Sequence, residues 1–317
     1  MVWNEAVLKA VELRHWFHQN PELTWEEEQT AKKIRTLLTG WGVAWRACAI
    51  HGTVATLATN KSGEHIALRA DMDALPIKEQ TDVDYCSTAD GKMHACGHDG
   101  HMAALLGAVY WLKQKESELQ GPVSLLFQPA EEGGHGAKKM IEEGVLDGID
   151  KIYGWHNWPA MPFGKAVCPD GPVMSGNGSF HIDVEGLGGH ASQPEACQDP
   201  VLAAAAITLN LQQIISRRLP PQAAAVISVT RILADSDVTI IPQTVKIYGG
   251  IRLSDPKWRP KLTELITQIS EDTASAYGVK ALVEVLPRYE ATINHPIAAA
   301  HFRNSKQEVV HGLVCYL

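Results

Sequence analysis

The sequence predicts an α/β fold: a mostly parallel sheet between helices, interrupted by a smaller α+β unit. Three observations predict it. Across residues 1–155, short apolar runs alternate with segments of helical period. Near Gly178 the rhythm changes to the order βαββαβ. Finally, several clusters of chemistry-bearing side chains follow directly on strand candidates, as they do where ligands gather at the carboxyl edge of a parallel sheet.

Taken in order, residues 3–18 and 25–40 carry helical periodicity. Thr24 is placed to cap the second helix, Glu27 three residues later completes a capping-box pattern, and Gly40 and Gly42 supply a stop. Strand candidates follow at 52–58 (GTVATLA), 66–69 (IALR), 122–128 (PVSLLFQ) and 151–155 (KIYGW), with helices between them at 100–116 and 136–145. Such alternation predicts helix-covered parallel strands. Beyond Gly178, FHIDVEG alternates as a half-exposed strand does, followed by a helix at 199–217, strands at 222–230 and 244–252, a helix at 257–276 and a last strand at 279–287. This order suggests a ferredoxin-like α+β unit with an antiparallel sheet, inserted at 179–285 into a domain made of 1–178 and 286–317.

Composition sets the boundaries. The chain has 317 residues, 45% of them apolar and 20% charged, as in a globular protein long enough for two domains. No apolar run approaches the ~18 residues needed to span a bilayer. The amphipathic start lacks the parts of a signal peptide, so the expected location is cytoplasmic, with no membrane partner. A formal charge of −8 argues against nucleic acid. The six cysteines form no CxxC pair and read as free thiols, five of them as small buried residues. The exception is Cys96.

Cys96 lies in HACGHDGH, residues 94–101, where three histidines, a cysteine and an aspartate crowd into eight residues. These are ligands for a borderline-soft divalent metal. No second Cys/His pair completes a structural zinc knuckle. Asp71 and Asp73 follow one strand candidate (ALRADMDALP), Glu131 and Glu132 another (LLFQPAEEGGHG), and His156 a third (IYGWHNWP). One sheet edge therefore brings Asp73, Glu131, Glu132 and His156 together, and HACGHDGH can approach it. Cys96 as thiolate and His98 can hold metal. One glutamate can ligate while its neighbour faces a bound water whose pKa the metal lowers. The free carboxylate then takes the proton and returns it to a leaving amine. Asp73 can orient a histidine ligand from behind.

In these motifs the chain resembles the amidohydrolase branch of the M20 metallopeptidases, which includes aminoacylases, hippurate hydrolases and hydrolases of auxin–amino acid conjugates. RADMDALPI, MHACGHDGHM, FQPAEEGGHGA, GWHNWP and GLGGHASQPE-x3-DPV match in order, and the likeness runs from about Leu13 to about Pro296. The resemblance implies a site for two divalent metal ions per subunit (Zn, Mn, Co or Ni), with Cys96, His98, Glu132 and His156 as ligands, Glu131 as catalytic base and Asp73 in support. It makes the insertion a lid that also forms a homodimer interface. His190 of GGHASQP then matches a lid histidine that stabilises the oxyanion in a partner's site, and Arg252 of GGIRL matches an arginine that binds the substrate carboxylate. The reaction implied is hydrolysis of N-acyl, chiefly N-acetyl, amino acids. GGHGAKKMI, GWHNWPAMPFG and VCPDGPVMSGNG look most like deacetylases of N-acetyl-L-2,4-diaminobutyrate.

Two departures bear on this. Thr239 stands where the family often has Asn. The chain also ends before a segment that in the family carries a last metal-ligand histidine; neither His301 nor His311 lies in a matching motif. A truncated or frameshifted gene, with impaired activity and solubility, is the expectation. The alternatives are a dipeptidase of the same family and a truncated, non-catalytic binder of amino acid conjugates.

Overall fold

A computed structural model describes residues 2–162 and 164–309. Residues 310–317, with His311 and Cys315, lie outside the described residues. The chain divides into two compact units, residues 1–165 and residues 166 onward.

The first unit holds α1 (Val2–Gln19), α2 (Glu28–Gly40), β1 (Trp45–Cys48), β2 (Gly52–Leu57), β3 (Ile66–Asp71), α3 (His98–Gln114), β4 (Val123–Gln128), α4 (Gly136–Glu142) and β5 (Lys151–Gly154). Its five strands run in the order β1-β2-β4-β3-β5. The sheet is mixed where the sequence suggested a mostly parallel one: β3 is parallel to β4 and β5, but β2 is antiparallel to both β1 and β4. The cause is β1, which the sequence pattern does not reveal because WRAC has no buried alternation. Only residues 49–51 join it to β2, and Ala49 and Ile50 take left-handed φ values of 47° and 65°, so the chain reverses into a hairpin. The parallel half is what positions the site. Asp71 at the end of β3 pairs in register with Gln128 at the end of β4, and Arg69 with Gly154 at the end of β5. Phe17, Ile34, Leu38, Met102, Leu106 and Phe127 fill the main core, and Cys48, Ala67, Leu126 and Met140 a second cluster.

The start of α2 departs from the expected cap. The helix begins at Glu28, and Glu27 makes no side-chain cap. The orphan amides of Gln29 and Thr30 are met instead by the two carboxylate oxygens of Glu22, at 3.0 and 2.8 Å. Leu23 bridges to Ala74 and Trp25 sits at φ 66°, so residues 22–27 are committed elsewhere and cannot form the box.

The second unit contains β6 (Gly171–Met174), β7 (Gly176–Glu185), β8 (Gly189–His190), α5 (Pro200–Gln213), β9 (Ala225–Leu233), β10 (Ile240–Ile241), β11 (Thr244–Leu253), α6 (Arg259–Ala276), β12 (Lys280–Pro287), β13 (Thr292–Asn294) and α7 (Pro296–Val309). Strands β12-β7-β11-β9 make an antiparallel sheet whose βαββαβ chain order is the ferredoxin-like one. Alternation along β7 buries Phe180, Ile182 and Val184 with residues of α5 and α6, such as Ile207, Leu211, Leu265 and Ile266. Asp199 caps α5 by accepting from the Val201 amide at 2.8 Å.

Residues 166–178 and 286–309 pack with this unit, whereas the sequence reading assigned both to the first domain. They hold each other: β6 pairs with β13, and the Arg303 guanidinium donates to the Cys168 carbonyl at 2.6 Å and to Asp170 at 3.0 Å. Of the cysteines described, Cys48 and Cys168 are buried, but Cys86, Cys96 and Cys197 are half-exposed, so the small-core reading fails for Cys86 and Cys197. No helix among the described residues is long and apolar enough to cross a membrane.

Candidate metal centre

The parallel strands each end in a loop that carries part of the site. β3 ends at Asp71 and leads to Asp73. β4 ends at Gln128 and leads through Pro129 and Ala130 to Glu131 and Glu132. β5 ends at Gly154 and leads to His156. HACGHDGH enters α3, with His98 as its first residue and His101 one turn on, on the same face. Gly97 makes the turn at φ +83°, where a Cβ would also strike the Asn157 amide.

Asp73 is the hub. It is 1% exposed, accepts from the Glu131 and Glu132 amides at 2.9 Å each, and from the Thr24 hydroxyl at 2.8 Å. Its backbone carbonyl lies 2.7 Å from His98 Nδ1. That bond takes the Nδ1 proton, so in the neutral imidazole the lone pair is on His98 Nε2. His156 is held the same way: Nδ1 donates to the Asn157 carbonyl at 2.7 Å, leaving Nε2 as the atom able to bind a cation.

Two groups of potential ligands share His98. One is Cys96, His98 and Glu132; the other is Asp71, His98, His101 and His156. Within each, the donor atoms lie within 4.8 Å of one another. The structure thus brings Cys96, His98 and Glu132 together, and places His156 beside the same histidine. Asp71 and His101 are the residues that sequence reasoning did not single out as site members. Both are committed already: Asp71 accepts from Arg69 at 2.7 Å and lies 2.6 Å from His101 Nδ1, while His101 Nε2 accepts from the Asn157 amide at 3.0 Å. The chain Arg69–Asp71–His101–Asn157 therefore fixes the carbonyl that orients His156. Its signal in the sequence was the three-residue spacing of His98 and His101 at a helix start.

The donor set fits divalent cations. His98 Nε2 and Glu132 Oε1 are buried 3.9 Å apart, and neither has a hydrogen-bond partner in the protein. Buried polar atoms left in this way are costly unless something meets them. The charges agree. Burial would lower the His98 imidazole, but its bond to Asp73 and the charges of Asp71, Asp73 and Glu132 lift it to about 9. Burial, then Glu132 with Glu131 and Asp71, push the Cys96 thiol up to about 12. Burial and the neighbouring Glu132 and Asp71 also raise the Glu131 carboxyl. Burial would raise Asp71 too, but the Arg69 guanidinium and the His101 bond hold it well below the usual carboxylate range. Asp71, Asp73, Glu131 and Glu132 thus crowd around the His98 imidazole and the Cys96 thiol, acidic groups that suit cations.

The other two expected residues lie in the second unit. His190 ends β8 and is exposed, its Nδ1 accepting from the Ser192 amide at 3.1 Å. Arg252 is exposed on β11, on the sheet face away from the core.

Comparison with known proteins adds to this geometry. A profile described as Peptidase family M20/M25/M40 matches residues 67–312. The chain is similar to the N-acetyl-L-cysteine deacetylase of Bacillus subtilis, at 42% identity over 87% of this chain and 67% of that protein. It is similar to the IAA-amino acid hydrolase ILR1-like 5 of Arabidopsis thaliana, at 40% identity over 93% of this chain and 68% of the other. Among solved structures, a dinuclear metal-binding peptidase from family M20 of Bacillus subtilis superposes with a TM-score of 0.84 at 32% identity, covering 99% of this chain and 83% of that one.

Proposed function

The chain belongs to peptidase family M20/M25/M40, and from that premise we propose that it hydrolyses the amide bond of N-acyl amino acids, N-acetyl amino acids foremost. At the coarser level it is a hydrolytic enzyme, a metal-dependent amidohydrolase. The observation that carries the metal-dependent reading is the buried, unpartnered pair His98 Nε2 and Glu132 Oε1, beside Cys96 at the carboxyl edge of the sheet. The two relatives named above support the substrate class, since both names describe hydrolysis of a derivatised amino acid.

In this reading Cys96, His98, Glu132 and His156 hold two divalent cations (Zn, Mn, Co or Ni). When bound, such ions lower the pKa of a water and polarise a carbonyl oxygen. Glu131 removes a proton from the attacking water and delivers it to the departing nitrogen, so water and amide become a carboxylic acid and an amine. Asp73 holds the Glu131 and Glu132 amides and the His98 carbonyl contact in one arrangement. His190 is assigned to the oxyanion, acting in a partner subunit, and Arg252 to the substrate carboxylate, whose planar geometry matches the guanidinium fork. The His190 assignment implies a homodimer formed through the second unit.

The test is a panel of N-acetyl amino acids, N-acetyl-L-2,4-diaminobutyrate among them, beside dipeptides, with enzyme loaded in turn with each metal. The expected result is amino acid release from the N-acetyl compounds at roughly tenfold or greater advantage in kcat/KM, abolished by a chelator and restored by metal. Preference for dipeptides would overturn the substrate class.

A further inference from the structure

We propose that Glu27 is a positioning residue for the Glu131–Glu132 loop: its carboxyl clamps the Ala130 amide in a left-handed turn and thereby aims both glutamates. What those glutamates do rests on the reading above; that they are clamped does not.

Glu27 is fully buried, at 0% exposure. Its Oε1 accepts from the Ala130 amide at 2.7 Å, across 103 residues of sequence. Its Oε2 has no partner, and one helical turn on, the Thr30 hydroxyl is likewise buried without one. Burial pushes this carboxyl up to about 7. A side chain of this kind is a liability in a core unless it performs a task that an apolar residue cannot. The task visible here is at Ala130, whose φ of 53° is an uncommon conformation for a residue with a Cβ. Its carbonyl accepts from the Gly136 amide at 3.1 Å, which closes the loop.

The next two amides continue the pattern. Glu131 N and Glu132 N both donate to Asp73. Three successive N–H groups are thus each taken by an acidic side chain, one by Glu27 and two by Asp73. Consecutive amides gathered on carboxyl oxygens in this way define a loop's direction more tightly than any one bond would. The two acids are themselves linked by residues 22–27: the Thr24 hydroxyl donates to Asp73, and the Ala74 amide to the Glu22 carbonyl at 2.8 Å. The hydrogen bond of Glu27 goes to the Ala130 amide, so it acts through the backbone of the loop.

The experiment compares metal-loaded wild type with Glu27→Ala and Glu27→Gln, reading amide hydrogen exchange at residues 130–132, bound metal, kcat and KM. Loss of the acceptor in Glu27→Ala is expected to speed exchange at those amides by roughly tenfold or more and to lower kcat about 10–100-fold, with KM within about threefold. Glu27→Gln keeps a carbonyl acceptor and is expected to stay within about threefold of wild type throughout. Unchanged exchange in Glu27→Ala overturns the proposal, as does a Gln variant as impaired as the Ala variant. A residue that merely stabilised the fold would raise exchange across the whole first unit, and that outcome also overturns it. If Glu27→Ala does not fold, Glu27→Asp serves instead: the carboxyl remains but its reach is shorter, so faster exchange at 130–132 is expected and wild-type exchange refutes. Full turnover in Glu131→Gln would remove the catalytic-base reading while leaving the exchange result, and hence the clamp, standing.

Discussion

The two sheets of this protein follow different rules. In the second unit, β7 and β11 pair without interruption from Gly176–Leu253 to Glu185–Thr244, and inward residues are apolar at every second position. In the first unit, the loops around the sheet accumulate exceptions. Among the described residues, all six non-glycine residues with positive φ lie there: Trp25, Ala49, Ile50, Ala58, Ala130 and His135. So do the unpartnered buried polar groups of Glu27, Thr30, His94, His98 and Glu132, against Ser270 alone in the second unit among the described residues. Backbone strain and unmet polar atoms persist where the surroundings over-determine them, and they concentrate at functional sites. The difference separates a region shaped by packing from a region shaped by chemistry.

The largest effect expected from that contrast is kinetic. Glu131→Gln keeps the size of the side chain and removes its ability to take a proton. A fall in kcat of about a thousandfold is expected, with bound metal and folding stability close to wild type. Turnover within tenfold of wild type would mean that the irregular edge is not where proton transfer happens.

A second effect is in stability and depends on pH. The Glu27 carboxyl is raised from 4.5 to about 7, chiefly by burial, with the Asp73 charge adding to the shift. The folded state therefore retains a proton over a range where the unfolded chain has released it. Its stabilising contribution is complete below about 4.5 and is lost as pH rises through about 7. Between pH 5 and 8, wild type should lose on the order of 2–3 kcal/mol relative to Glu27→Gln, whose amide does not titrate. Denaturant unfolding of both proteins at the two pH values measures this, and a constant difference would contradict it.

The second unit should respond as packing alone dictates. A Cβ added at Gly249 would overlap the Phe180 ring and crowd the Ser228 carbonyl. Gly249→Ala is expected to cost about 1–3 kcal/mol by overpacking, with no change in metal content or in the exchange of residues 130–132. Loss of metal in this variant would show that the two regions are not energetically separate.

The same contrast governs what could be read in advance. The βαββαβ order was legible because each strand and helix of the second unit obeys its own period, as with Phe180, Ile182 and Val184. In the first unit the residue types of HACGHDGH and PAEEGG announced a metal centre, since few other tasks need thiol, imidazole and carboxylate together. What stayed hidden depends on long-range contact. β1 has no periodic signature, and β6 joins β13 across more than a hundred residues. Asp71 and His101 stand in plain view within motifs, but their role follows from the bond between them, which sequence spacing does not encode.

Thr24 gives the sharpest case and the smallest expected effect. With Glu27 three residues on, it carries a local pattern that favours a helix cap. Yet its hydroxyl donates to Asp73 at 2.8 Å, and Glu22 meets the amides at the helix start. The pattern failed because both of its members were recruited by distant carboxylate and amide groups at the site. Thr24→Val removes the donor with little change of shape and is expected to cost about 1 kcal/mol. A lost cap would cost about as much, so the size of the effect cannot tell the two apart. Its location can. Loss of a site contact should weaken metal affinity a few-fold while the Gln29 and Thr30 amides keep their protection through Glu22. Loss of a cap should fray α2 and leave the metal unaffected.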